Sequence, residues 1–229
     1  RKRGTWKACF FAEKDNRNWN VRHYNRNHLF EERIVSAENF VPVAADKAYR
    51  LFNLGATALV SAAYKGDEDV MPATWVCPLD LVPFKTTAVI EPTHYTRPLI
   101  EKSGRFALQL PTVAIVEETL KLGFVSKNDD PKKLTKSGAQ FFRAPGLDLP
   151  LVKGCACWAV FDVIREPHNE SAYDLFIGTC VGAWADPRVF AGGHWNLEGT
   201  PRELRPLHYV AGGHFYATGD TVVVPGYAE

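Results

Sequence analysis

The chain lacks the marks of several large protein classes. It has no run of about 18 apolar residues, the length a membrane-spanning helix needs, so no membrane span is expected. A net charge of +1, from 27 Lys and Arg against 26 Asp and Glu, offers no broad field to draw in nucleic acid or an anionic membrane surface. Only five cysteines occur, Cys9, Cys77, Cys155, Cys157 and Cys180. So small and odd a set in 229 residues does not read as a secreted disulfide scaffold. With no apolar signal core near the start, it predicts reduced thiols and a cytoplasmic protein. There is no Gly-x-Gly-x-x-Gly after a strand, no P-loop and no Gly-x-Ser-x-Gly elbow. No Cys-x-x-Cys or His-Glu-x-x-His marks a metal site, and none is expected. The sequence opens at Arg1 rather than Met, which leaves room for an upstream piece.

What is there is 46% hydrophobic, enough for an ordinary globular core. Residues 1–35 stand apart: they are cationic, Asn-rich and not periodic, as in Arg1-Lys-Arg3 and Asn16-Arg-Asn-Trp-Asn20. Trp6, Phe10, Phe11 and Trp19 favour an arm that is mobile or docks on a neighbouring subunit over a tail for an acidic partner. Residues 36–229 make the main domain. In it Asp46 caps a helix through Phe52. Ala56–Tyr64 reads as a buried strand, Lys65-Gly66-Asp67 as a turn, and Val70–Val76 and Thr86–Ile90 as further strands. A helix over Arg97–Lys102 stops at Gly104, and Phe106–Leu110 returns as a strand. A longer helix runs Thr112–Leu122, capped by Thr112 and ended by Gly123, and a short one spans Pro131–Lys136. Leu151–Arg165 and Asp174–Trp184 read as two long partner strands. Many strands with few short helices predict an antiparallel barrel with helical insertions. Ala191-Gly-Gly-His194 and Ala211-Gly-Gly-His214 echo each other as turn chemistry, not as a repeat.

Cys155 and Cys157 share one face of a strand, with Cys180 on the next, which is where a metal or redox site would have to form. Small buried hydrophobes is the stronger reading of thiols in a core strand. Two other pieces carry more chemistry. Asp69-Val-Met-Pro-Ala-Thr-Trp75 is a strand that ends by presenting backbone amides, a hydroxyl and a large aromatic face. Pro92-Thr-His-Tyr-Thr-Arg97 is a turn of hydroxyl and basic side chains that opens a helix. Together they provide a polar groove for a flat ring and a helix N-terminus for a phosphate.

Their order and flanks resemble the FMN-binding split-barrel flavin reductases, especially the flavoredoxin-like branch. The matching pieces are Leu59-Val-Ser61, Asp69 to Trp75, Cys77-Pro78, Tyr95-Thr96, Leu110-Pro111, Ser126 with Lys132-Lys133, and Gly212-Gly-His-Phe-Tyr216. The resemblance implies a mainly β fold, an antiparallel split β-barrel of Greek-key type with short helical insertions. It implies FMN as cofactor and NADH or NADPH as co-substrate. Ala73, Thr74 and Trp75 would contact the isoalloxazine and ribityl groups, and Cys77 would sit near the ring edge. Thr93, His94 and Thr96 would hold the phosphate. Ser126 and Lys133 would add a hydroxyl and a cation, and Phe215 or Tyr216 would approach the ring. Hydride would pass from the nicotinamide to the flavin without a protein acid or base, so no catalytic residue is singled out. Electrons would go on to free flavin, a partner oxygenase or an electron-acceptor protein. A homodimer is implied, with each flavin site near the subunit interface. Two other readings stay open: an FMN-binding electron carrier without its own NAD(P)H activity, and a flavin-free barrel binding haem through His94 or His208.

The chain departs from the pattern at Asp69, where the family often has Asn, so the carboxylate should either point away from a flavin or donate nothing to it. The stretch 186–206 is longer than the family needs and reads as a lid or a dimer contact.

Overall fold

The computed structural model describes residues 43–51 and 53–222; the arm expected over residues 1–35 lies outside the described residues. The chain divides into two units, Arg1–Ala48 and Tyr49–Glu229, and the second carries the elements below apart from the start of one short helix. That helix, Ala45–Leu51, is the short helix the sequence predicts after Asp46, and it is of the 3-10 type.

β1 (Ala58–Tyr64) and β2 (Asp67–Ala73) form a hairpin. Lys65 at φ 50° and Gly66 at φ 84° make its two-residue turn. Such a turn sets Asp67 directly opposite Tyr64, so β2 starts there and not at Val70. A second hairpin pairs β3 (Val76–Leu81) with β4 (Phe84–Val89). α1 (Thr96–Ser103) ends at Gly104, φ 69°, and leads into β5 (Arg105–Pro111). The helix expected over Thr112–Leu122 begins as a 3-10 turn, Val113–Ile115, and continues as α2 (Val116–Phe124). Thr112 does not cap it; its hydroxyl donates to Gly154 O at 2.8 Å. α3 (Lys133–Ser137) precedes a small ladder of β6 (Phe141–Phe142) and β7 (Leu151–Val152). A turn at Gly154, φ 92°, separates β7 from β8, so the single strand predicted over Leu151–Arg165 is two. β8 (Cys155–Ile164) pairs antiparallel with β9 (Leu175–Ala185), with α4 (Pro167–Ala172) between them. Two hairpins follow, β10 (Phe190–Ala191) with β11 (His194–Trp195), and β12 (Leu207–Ala211) with β13 (His214–Ala217). Their Gly-Gly turns have φ 63° and 83°, and 56° and 82°, which explains the echoed Ala-Gly-Gly-His motif as two tight turns.

Seven strands form one antiparallel sheet in the order β2-β1-β5-β8-β9-β4-β3. Its two edge strands, β2 and β3, are consecutive in the chain and joined only by Thr74 and Trp75. A flat sheet of this width would hold its edges about 29 Å apart, at about 4.8 Å per spacing. The link from Ala73 to Val76 reaches at most about 11 Å. The sheet therefore rolls into a barrel, closed at one seam by chain and not by a ladder. This is the split barrel expected from the sequence, but the strand predicted over Val70–Val76 is broken at the seam. Inside, Val60, Met71, Phe106, Phe161 and Phe176 meet Leu99 and Ile100 of α1 in one core. Outside, Leu59 and Val70 pack against Leu122 of α2 and Val152. β1 is thus covered on both faces, which is why its sequence is apolar apart from the buried Ser61.

Candidate functional site

A cleft of about 360 Å³ opens beside the seam. Ala73, Thr74 and Trp75 form one wall. Their conformation is held by Asn53, whose Oδ1 accepts from Thr74 Oγ1 at 2.7 Å and from Trp75 Nε1 at 3.1 Å. Tyr49 meets the indole edge-on at 6.1 Å, and Trp75 remains half exposed. The facing wall is aromatic: Tyr209 and Phe215, cross-strand neighbours on the β12–β13 hairpin with ring centroids 5.1 Å apart, and Phe124 at the end of α2. Gly123 was expected to end α2 but lies within it, against β2. A Cβ there would stand 2.4 Å from Pro72 Cγ, so only glycine allows this helix to lie this close.

A second cleft, of about 470 Å³, is lined by Thr93, Tyr95, Ser126, Asn128, Asp129 and Lys133. The two clefts share Met71, Pro72, His94 and Gly123, so one runs into the other. The second is polar and already well ordered. Asn128 donates its side-chain amide to Thr93 O at 3.0 Å and its backbone N–H to Ser126 Oγ at 3.2 Å. Beneath lies a buried ion pair. Asp69, 1% exposed, meets Lys133 Nζ at 3.0 Å and accepts from Thr96 Oγ1 at 2.7 Å. Burial pushes the Lys133 ammonium below the usual lysine range, with Asp69 pulling the other way. Asp69 thus lies under the polar cleft and does not line the ring cleft.

At the mouth of β2 a more open cluster repeats the chemistry. Asp67 accepts from Tyr95 Oη at 2.6 Å and from Lys127 Nζ at 2.7 Å, and Lys127 also lies 4.8 Å over the Tyr95 ring. Burial raises the Asp67 carboxyl, but the hydrogen bonds from Lys127 and Tyr95 outweigh it and hold it below the usual range. The bond to Asp67 pushes the Tyr95 phenol up to about 12. Acidic residues on β2 thus tie down the 125–133 loop that walls the polar cleft.

The structure brings together Ala73, Thr74, Trp75, His94 and Phe215 at the ring cleft, and Thr93, His94, Ser126 and Lys133 at the polar one. It leaves two expected residues outside. Thr96 is fully buried and spends its hydroxyl on Asp69. Cys77 is exposed on β3 with its Sγ 3.4 Å from Pro78 O. Arg97, the cation at the start of α1, points away to Asp174 Oδ1 at 2.5 Å and Glu170 O at 2.6 Å. Tyr216 is exposed and borders neither cleft. His208 holds Leu54 O at 3.0 Å through Nδ1 and borders neither cleft. Among the described residues no group of three or more His, Cys, Asp or Glu stands where it could hold a metal. Sequence reading missed Asn53, Tyr209, Phe124 and Thr57, none of which sits in a motif. Only Tyr209 carried a signal, its aromatic ring opposite Phe215 across a Gly-Gly hairpin.

An apolar aromatic cleft that opens into a polar one, at the seam of a split barrel, is arranged for a flat ring with an anionic tail. Residues 53–217 match the flavin reductase like domain. The chain belongs to that family. It is similar, at 47% identity and a TM-score of 0.73, to the crystal structure of an FMN-binding domain of a flavin reductases-like enzyme from Shewanella baltica OS155, with 80% of this chain and 95% of that one covered. It is 32% identical to the uncharacterized protein YddH of Escherichia coli K12 over 80% of this chain and 97% of the relative. The flavoredoxin of Desulfovibrio vulgaris (Miyazaki F) shares the fold at a TM-score of 0.63 and 19% identity, over 76% of this chain and 92% of that one. Among the described residues no helix is long and apolar enough to cross a membrane.

Proposed function

We propose that this flavin reductase-like chain binds FMN with its ring system in the aromatic cleft and its phosphate in the polar one, and that it is an NAD(P)H-dependent FMN reductase. The observation that carries the reading is the junction of the two clefts at His94 and Gly123. The residues fit the group. Tyr209, Phe215 and Trp75 offer the π faces that a flat heterocycle stacks against. Two residues that border the ring cleft, Thr57 and His94, each have a buried polar atom, Oγ1 and Nδ1, without a partner among the described residues, and a ligand with polar edges would meet that need. The hydroxyls of Thr93 and Ser126 and the amide of Asn128 line the place for the phosphate. Lys133 contributes there as half of a neutral pair with Asp69, and Asp129 at the rim opposes a second negative charge. The likeness to an FMN-binding domain at 47% identity supports the same ligand here.

FMN, when bound, would supply the hydride and electron-transfer chemistry, with NADH or NADPH as donor and free flavin or an acceptor protein such as an oxygenase as acceptor. The chain's own part is placement. Asn53 fixes Thr74 and Trp75, and backbone amides of the segment from Ala73 to Cys77 would be candidate donors to negative charge on the ring. The aromatic hairpin excludes water from one side. The exposed apolar run Leu79, Leu81 and Val82, beside Val181, is the face we assign to a homodimer. The four cysteines among the described residues, Cys77, Cys155, Cys157 and Cys180, are free thiols and fit a reducing compartment such as the cytoplasm.

The visible spectrum of the purified protein, with FMN added and then NADH or NADPH under anaerobic conditions, tests the reading. Bound flavin that bleaches with a pyridine nucleotide is the expected result. A colourless protein that takes up no FMN would overturn it, and bound flavin that neither nucleotide reduces would leave an FMN-binding electron carrier.

A further inference from the structure

Three threonines border the ring cleft, and their hydroxyls are not equivalent. Thr74 Oγ1 donates to Asn53 Oδ1 at 2.7 Å. Thr119 Oγ1 donates to Ile115 O, one turn back in its own helical segment, at 2.8 Å. Thr57 is 2% exposed, and its Oγ1 is buried with no hydrogen-bond partner among the described residues. Its backbone is anchored: Thr57 N donates to Leu207 O at 2.8 Å, which pins the start of β1 to the strand that carries Tyr209. The residue is therefore fixed beside the strand that carries Tyr209, and both residues line the same cleft.

A buried hydroxyl without a partner is costly, and valine has the same shape without that cost. If packing alone decided position 57, valine would serve the fold better. The second unpartnered atom on this cleft, His94 Nδ1, marks the end where the two clefts join. Thr57 is the corresponding polar atom beside β12, away from the polar cleft's lining.

We propose that Thr57 is a ligand-binding residue of the ring cleft, its hydroxyl hydrogen-bonding a polar edge of the bound heterocycle. A hydroxyl both donates and accepts, so it suits a ring edge that carries carbonyl oxygen and N–H side by side. This assignment rests on the FMN reading above and adds a contact that no motif in the sequence announces.

The substitution Thr57→Val separates this role from a structural one, because the two effects have opposite signs. In the apo protein T57V removes an unpaired polar atom and raises the melting temperature by about 2–4 °C. In the same variant FMN affinity, read by quenching of flavin fluorescence, falls about three- to tenfold. Thr57→Ser keeps the hydroxyl and binds FMN within about twofold of wild type. The absorption band of bound flavin shifts in T57V and stays in place in T57S. Should T57V fail to fold, Thr57→Ala is read for affinity and band position in the same way. Wild type and T57V binding FMN equally well would overturn the assignment while leaving the FMN reading intact. A wild-type chain that binds no FMN would overturn both.

Discussion

The two clefts use their polar atoms in opposite ways. In the polar cleft the charged groups are paired before any ligand arrives: Asp69 holds Lys133 and Thr96, and Asn128 is tied to Ser126 and Thr93. Of the buried side-chain atoms without a hydrogen-bond partner among the described residues, Thr57 Oγ1 belongs to the ring cleft, His94 Nδ1 to a residue that borders both clefts, and Asp69 Oδ1 lies under the polar cleft, 3.0 Å from the Lys133 ammonium. The polar cleft is a preorganised wall, and the ring cleft is incomplete as a protein interior. Substitutions beneath the polar cleft should therefore act on stability first, and substitutions in the ring cleft on ligand affinity first.

The largest effect is expected at the buried pair. Lys133→Met strands the Asp69 carboxylate at 1% exposure and should lower unfolding free energy by about 3–5 kcal/mol in urea melts. The double variant Asp69→Leu, Lys133→Met should recover most of that loss, since no unpaired charge remains. Continued loss in the double variant would mean that the pair itself, and not the stranded charge, holds the loop. Next comes Gly123→Ala. Its new Cβ meets Pro72 at 2.4 Å, so α2 must move off β2, at about 1–3 kcal/mol, and both clefts should change shape. Reduced FMN affinity alongside reduced stability is the expected pair of results.

A sharper test contrasts Thr96→Val with Ser126→Ala. Thr96 is fully buried on Asp69, so its loss should cost stability, about 1–3 kcal/mol, with little change in the affinity of what remains folded. Ser126 borders the polar cleft, and its loss should weaken FMN about tenfold with the fold intact. The reverse outcome would place the phosphate at the helix start.

The smallest effect concerns the open cluster at Asp67. Tyr95→Phe should cost under about 1 kcal/mol, because the bond is partly exposed. Its pH dependence is diagnostic. Tyr95 is raised from 10.0 to about 12 in the folded chain, so its contribution is complete below pH 10 and lost as the pH rises through about 12. Asp67 is lowered from 3.8, so the same bond is also lost as pH falls below that value. The stability gap between wild type and Y95F should be flat between those limits and close at both ends.

Much of the barrel was legible in the sequence, because strands buried on one or both faces leave local patterns, as in Ala58–Tyr64 and Cys155–Ile164. The seam was not. Residues 70–76 are apolar except for Thr74, and nothing local says that the chain leaves one sheet edge at Ala73 and joins the other at Val76. The matched motifs located Ala73, Thr74, Trp75, His94 and Ser126 beside the clefts, since those residues carry their chemistry wherever the backbone passes. Thr96 and Lys133 were read as ligand groups because hydroxyl and cation are what a phosphate wants. The contact that pairs them both with Asp69 joins three elements distant in sequence. Asn53 and Thr57 were invisible for the same reason.

By itself the sequence determined the strand-rich class, the tight Gly turns and the family pattern, since these depend on residues near one another in the chain. Only the tertiary structure decided which polar groups are already paired inside the protein and which are left for a ligand. That choice is made by side chains tens of residues apart meeting in a space from which water is excluded, where a hydroxyl or a charge must find a partner or remain without one.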